Sequence, residues 1–150
     1  MSYRHSVSVA AVVVREDGRV LAIRRADNGA WQIPGGVLEP DETIEAGLTR
    51  EVREETGLDV KVLGLTGIYK HMSLGVVALV FRCAPDSGQE TLSEETAEIG
   101  WLSPAEVSER MAPVFAVRVH DALAGGLPQI RAHDGIHLLM SEDEGGGHAS

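Results

Sequence analysis

A single cysteine, Cys83, in a chain of 150 residues leaves no partner for an intramolecular disulfide, and that scarcity fits a reducing, cytoplasmic setting. Cys83 falls in a strand-like pattern and is expected in the core. Long apolar runs are also missing. The most hydrophobic stretch, Val7 to Val14, is eight residues long and contains Ser8, too short to cross a bilayer. Arg4 and His5 precede it, as in a signal peptide, yet Arg15-Glu16-Asp17 follows with no small-residue cleavage site, so a buried strand is expected instead. Basic residues are few against acids, giving a formal charge of −10, and no basic stripe is interleaved with aromatics. A long polyanion such as DNA or RNA would be repelled, so neither is an expected partner, and no membrane is. A small phosphorylated nucleotide stays admissible, because a divalent cation and a few arginines can invert the field locally.

What the chain does have is acid, concentrated in GVLEPDETIEAGLTREVREETGL from Gly36 to Leu58. Ile44, Leu48 and Val52 recur every fourth residue and predict an amphipathic helix from about Thr43 to Thr56. Asp41 or Thr43 can cap its start, and Gly57 is a natural stop in the left-handed conformation. On such a helix Glu51 and Glu55 fall on the side of Ile44 and Leu48, with Glu54 flanking them. A solvated acidic face is the usual fate of such residues, but two features argue against it. Like charges three and four residues apart repel by about 0.2–0.5 kcal/mol per pair, and these lie in the last turns, where the helix dipole disfavours anions. Arg50 and Arg53 point largely to the other side. Carboxylate oxygens without nearby His or Cys suit Mg²⁺, with Mn²⁺ as a substitute, and such an ion keeps positions open for water and phosphate.

Gly36, then Glu42 after five residues, then Arg50-Glu51-Val52-Arg53-Glu54-Glu55-Thr56-Gly57-Leu58 after seven more, resembles the complete Nudix box. The likeness extends to Trp31-Gln32-Ile33-Pro34-Gly35-Gly36 ahead of the box and Glu98-Ile99-Gly100-Trp101 after it, as far as about Leu127. It implies an α/β/α sandwich with a mixed sheet between helices, where periodicity alone gives only α/β or α+β. It implies a Mg²⁺-dependent pyrophosphohydrolase with Glu51, Glu54, Glu55 and the carbonyl of Gly36 on the metal, and Glu42 paired with Arg50 to brace loop against helix. The general base is then Glu55 or Glu98, with Glu94 or Glu95 able to replace the latter. Relatives that dimerise leave a homodimer open. Relatives that only sense nucleotides or nucleotide sugars supply the alternative function, against which the intact carboxylates speak.

The remaining chain is expected to form one domain over residues 1–140, followed by a disordered tail, SEDEGGGHAS. Asp17-Gly18 predicts a hairpin between Val7–Val14 and Arg19–Arg25. Arg24 and Arg25 end the second strand; adjacent strand residues face opposite sides, so at most one should meet substrate phosphate. Leu58–Tyr69 and Val76–Cys83 are β-rich, and Lys70 and His71 between them are further phosphate contacts to consider. Ala84–Gln89 has the composition of a loop. Ser103-Pro104-Ala105-Glu106 is a capping box, and a helix from Pro113 to Ala124 should turn Phe115, Val119, Ala122 and Leu123 inward. Asp134-Gly135 suggests a terminal hairpin. Within the resemblance, the proline expected of ADP-ribose hydrolases is replaced by Ser73 and Leu74, and the tyrosine of dinucleoside polyphosphate hydrolases by Val76 and Val77. The extended coenzyme A signature is absent, which favours a nucleoside triphosphate or a nucleoside diphosphate linked to a small group.

Overall fold

A computed structural model describes residues 3–140; the expected tail lies outside them. The strands are β1 (Ser6–Val13), β2 (Val20–Arg25), β3 (Trp31–Gln32), β4 (Gly35–Val37), β5 (Leu58–His71), β6 (Val76–Gly88), β7 (Thr96–Leu102), β8 (Gln129–His133) and β9 (Leu138–Leu139). The helices are α1 (Ile44–Thr56), α2 (Pro104–Arg110) and α3 (Pro113–Ala124). Six strands form one sheet in the order β4-β1-β6-β5-β8-β9, and β3-β2-β7 form a second. The larger sheet is mixed, because β1 runs parallel to β6 and β5 parallel to β8 while its other pairs are antiparallel.

The apolar run of β1 explains the layering. Val9, Ala11 and Val13 pack with Leu48 and Val52 of α1, whereas Ala10 and Val12 pack with Ala116, Val119 and Ala122 of α3. A strand buried on both faces needs continuous hydrophobicity rather than alternation, which is what Val7–Val14 provides. The result is the α/β/α sandwich with a mixed sheet. Cys83 lies in the α1-side core, fully buried, and burial pushes its thiol up to about 12.

Three expectations change. The Asp17-Gly18 turn forms, with Arg15 N–H donating to the Arg19 carbonyl, but β1 and β2 share only the bridge Val14–Val20 before separating into different sheets. Turn chemistry set the reversal; burial of β1 between two helices set its partners. Ala84–Gly88 is strand, not loop, and pairs with the start of β5 across a bulge at Asp59/Val60. Pro85 is tolerated there because β1 pairs with β6 only as far as Cys83, leaving that edge free. In α3 the buried residues are Val114, Ala116, Val119 and Ala122, so Phe115 is only half-buried. The Asp134-Gly135 hairpin forms as expected, joining β8 to β9.

At the other edge β4 is drawn close to β1, with Gly35 opposite Ala10 and Ala11 N–H donating to the Pro34 carbonyl at 2.9 Å. A Cβ on Gly35 would overlap the Val9 carbonyl oxygen and the Ala10 backbone. Gly35→Ala should therefore lower stability by about 1–3 kcal/mol, seen as a lower urea midpoint; an unchanged midpoint would show that β4 is not locked at this distance.

Candidate active site

Helix α1 carries the acidic residues, and its ends are set by local chemistry. Thr43 Oγ1 accepts from Ala46 N–H, and Gly57, at φ 79°, closes the last turn with its N–H on the Arg53 carbonyl. The long arginine at the centre of the helix ties it to the loop before it. Arg50 meets Glu42 through two hydrogen bonds, Nε to Oε2 at 2.8 Å and Nη2 to Oε1 at 2.6 Å. Its Nη1 also donates to Glu51 at 2.8 Å and Glu54 at 3.1 Å. These bonds, with the Glu39 N–H, hold the Glu42 carboxyl down at about 2. A side chain on Gly47 would collide with Leu38 and Glu42, so this glycine gives the loop its seat on the helix.

Two of the acids lie beneath the Gly35-Gly36 strand, Glu55 buried and Glu51 half-buried. Glu55 is 7 % exposed and accepts from Gly35 N–H at 2.8 Å; Gly36 lies so near Glu51 that a Cβ would overlap its carboxylate. Burial pushes the Glu55 carboxyl up to about 7, opposed by the Gly35 hydrogen bond and reinforced by Glu51 and Glu95. Burial also raises Glu51, against the pull of Arg50. Glu54 is more exposed and pairs with Arg50 at 3.1 Å.

The rim opposite α1 comes from the segment ahead of β7. Ser93 Oγ accepts from Glu95 N–H, and the Glu95 carbonyl accepts from Ala26 N–H at 2.9 Å, which fixes this turn to the end of β2. Glu51, Glu54, Glu55, Glu94 and Glu95 consequently line one cavity of about 350 Å³. Glu55, Glu94 and Glu95 border a second with Arg25 and Asp27. Arg25 also lines a third cavity of about 280 Å³, walled by Gln32, Ile33, Gly35, Gly36, Phe115 and Arg118. Arg25 thus joins the acidic end of a groove to an end with no carboxylate in its lining.

The sequence-selected residues divide accordingly. Glu51, Glu54, Glu55 and Gly36 come together, and Arg50 stands behind them. Of the two arginines, Arg25 faces the groove, its guanidinium held by Asp27 at 2.6–2.9 Å. Arg24 points to the other face and pairs with Glu98 at 3.0 Å. Glu98 is therefore not in a loop beside the carboxylates: it lies on β7, directly across from Arg24, and lines neither acidic cavity. The place expected of it is taken by Glu94 and Glu95, because β7 already begins at Thr96. Lys70, one residue before the end of β5, is paired with Val77 and Ala132 and also lines neither acidic cavity. The sequence reading missed Phe115, Arg118 and Gln32. Arg118 did leave a signal, an arginine set between Val117 and Val119 in the apolar first half of α3.

The donor set suits a hard cation. It offers five carboxylates and backbone carbonyls with no imidazole or thiolate, and its buried acids have too little positive charge around them. Among the described residues no three His, Cys, Asp or Glu side chains already converge on one point, since Glu51 and Glu54 turn toward Arg50. Nor is any helix among these residues long and apolar enough to cross a membrane.

An α/β/α sandwich whose box helix presents clustered glutamates beneath a Gly-Gly strand defines a hydrolase of phosphorus-containing anhydrides. The chain belongs to the Nudix family: the family model described as NUDIX domain matches residues 4–123. It is similar to a "MutT-like protein" of Streptomyces ambofaciens, 64% identical over 135 residues, 90% of this chain and 88% of that one. It is also similar to a "CTP pyrophosphohydrolase" of Escherichia coli, 30% identical over 105 residues, 67% of this chain and 78% of that one. Among solved structures it resembles a NUDIX hydrolase from Nitrosomonas europaea, with TM-score 0.73 and 28% identity over 83% of this chain and 93% of that one.

The raised Glu55 carboxyl has a measurable consequence in metal-free protein. Its folded value of about 7 exceeds the ordinary 4.5, so the folded state keeps a proton that the unfolded state releases. That contribution to stability is complete below about pH 4.5 and is lost as pH rises through 7. Glu55→Gln, which cannot ionise, should gain on the wild type by about 1–3 kcal/mol between pH 5 and pH 8 in chelator. A pH-independent difference in unfolding free energy would contradict the burial of this carboxyl.

Proposed function

We propose that this chain is a Mg²⁺-dependent pyrophosphohydrolase that cleaves the diphosphate linkage of a nucleoside triphosphate, or of a nucleoside diphosphate joined to another group, by attack of water on phosphorus. The observation that carries this reading is the buried Glu55, poised near neutrality beside Glu51, Glu54 and the Glu94-Glu95 turn, in a groove that continues past Arg25. The similarity to the Escherichia coli CTP pyrophosphohydrolase supports the nucleoside triphosphate.

Glu51, Glu54, Glu55 and the Gly36 carbonyl would hold the ion. Bound Mg²⁺, or Mn²⁺ in its place, supplies charge neutralisation at the phosphoryl oxygens. Arg25 adds a fixed positive charge at the point where the acidic end meets the rest of the groove. Arg50 works at one remove, as a positioning residue that sets the helix, the loop and two of the acids relative to each other. The proton of the attacking water goes to a carboxylate, Glu55 or an acid of the Glu94-Glu95 turn. Glu98, neutralised by Arg24 on the other face, does not serve.

Turnover of a panel of nucleoside triphosphates, nucleotide sugars, ADP-ribose and dinucleoside polyphosphates tests this directly, with Mg²⁺ and with chelator. Glu55→Gln or Glu95→Gln should lower kcat by about a hundredfold or more, while Glu98→Gln stays within about threefold of wild type. Tight binding of one compound without turnover would instead identify a sensor.

A further inference from the structure

The carboxylate-free end of the groove contains a guanidinium whose Nε has no acceptor among the described residues. Arg118 projects from α3, and its guanidinium carbon lies 5.0 Å from the centroid of Tyr69 and 5.1 Å from that of Phe115. Its Nε is buried and has no hydrogen-bond partner among the described residues. The nearest carboxylate in the helix is already engaged: Asp121 accepts from Tyr69 Oη at 2.8 Å and from Arg131 at 2.7 and 2.8 Å. Burial without a carboxylate pulls the Arg118 guanidinium down to about 10, so it remains charged at neutral pH.

Its one hydrogen-bond contact among the described residues, Nη2 to His133 Nε2 at 3.3 Å, does not resolve this. His133 is fully buried and, with burial and Arg118 both lowering it to about 4, is neutral. Gly135 N–H donates to its Nδ1 at 3.0 Å, so Nδ1 carries the lone pair and Nε2 carries the proton. Two N–H groups therefore face each other. An unpaired buried donor costs about 1–3 kcal/mol, more for a charged one, so a cluster of this kind is expensive unless something with a lone pair completes it.

The cavity beside it selects what that can be. It measures about 280 Å³, has apolar walls from Val9, Ile33, Ala78 and Phe115, and connects through Arg25 to the acidic end. That suits a flat ring with acceptor oxygens on its edge, attached to a phosphate chain lying toward Glu55. We infer that Arg118, backed by His133, is a specificity-determining residue that reads a carbonyl oxygen on the ring of the substrate, favouring keto-bearing nucleobases over their amino counterparts. The inference rests on the nucleotide reading above and names the part of the nucleotide that the chain distinguishes. An exocyclic amine at the same place would add a third donor to the cluster; a carbonyl accepts from it.

The test uses two pairs that exchange keto for amino at one ring position, with the ring proton that follows it, IMP against AMP and UMP against CMP, titrated calorimetrically into chelator-treated full-length protein. Each keto member should bind about tenfold more tightly than its amino partner. Arg118→Met, which fills the same space between Tyr69 and Phe115, should abolish that preference by weakening IMP and UMP alone. Its melting temperature should equal or exceed that of the wild type, since an unpaired buried charge is removed. Arg118→Lys, a cation without the planar fork, should recover only part of the preference. Equal affinity within both pairs, no binding by any of the four, or a preference that survives Arg118→Met overturns the inference. Because no turnover is needed, Arg118-dependent keto preference in a protein that hydrolyses nothing would uphold this inference while refuting the hydrolase reading.

Discussion

The structure depends on keeping several carboxylates together where neither the helix nor the solvent favours them. Helix α1 ends in acids although its dipole opposes them, and it buries Glu55 under a backbone strand. Arg50 makes this tolerable. One guanidinium holds Glu42 in a forked pair and reaches Glu51 and Glu54, so loop, helix and two of the acids move as a unit. The arrangement is still short of positive charge, as the raised Glu55 and Glu51 carboxyls show. On the proposed reading a divalent cation would complete it, and glycines at 35 and 36 leave the room that the acids need.

The groove built on this helix is polar in the electrical sense. Five carboxylates lie at one end, Arg25 stands between, and Arg118 closes the other end without an acid in the lining. In a chain with a formal charge of −10, that gradient is local and comes from a few side chains on β2, α1 and α3. On the proposed function it would orient a nucleotide with its phosphates toward the acids and its ring toward Arg118.

Much of this was legible in the sequence where a signal was local. The period of Ile44, Leu48 and Val52, the cap at Thr43 and the stop at Gly57 placed α1 within a residue. The resemblance to the Nudix box anticipated the pairing of Glu42 with Arg50. Alternation along β2 established that only one of Arg24 and Arg25 could face the groove, though not which, because a bulge falls between them. Other features depended on partners far along the chain. Whether β1 would pair with β2 was decided by two helices competing for its faces, and Pro85 could enter β6 only because β1 had ended. Glu98 was placed by its distance from Trp101, but pairing in register with Arg24 turned it away and left Glu94 and Glu95 at the rim. Arg118 was hidden because its environment is made by β5, β8 and α3 together.

The central claim is that the acids of α1 form a cation site in which a metal replaces the proton that Glu55 keeps. Titrating Mn²⁺ into the metal-free protein at pH 6, by calorimetry in two buffers of different ionisation enthalpy, measures binding and proton release together. The account predicts saturable binding that releases up to about one proton per ion and loses this release in Glu55→Gln. Absence of saturable binding, or binding with no proton release in the wild type, would contradict it.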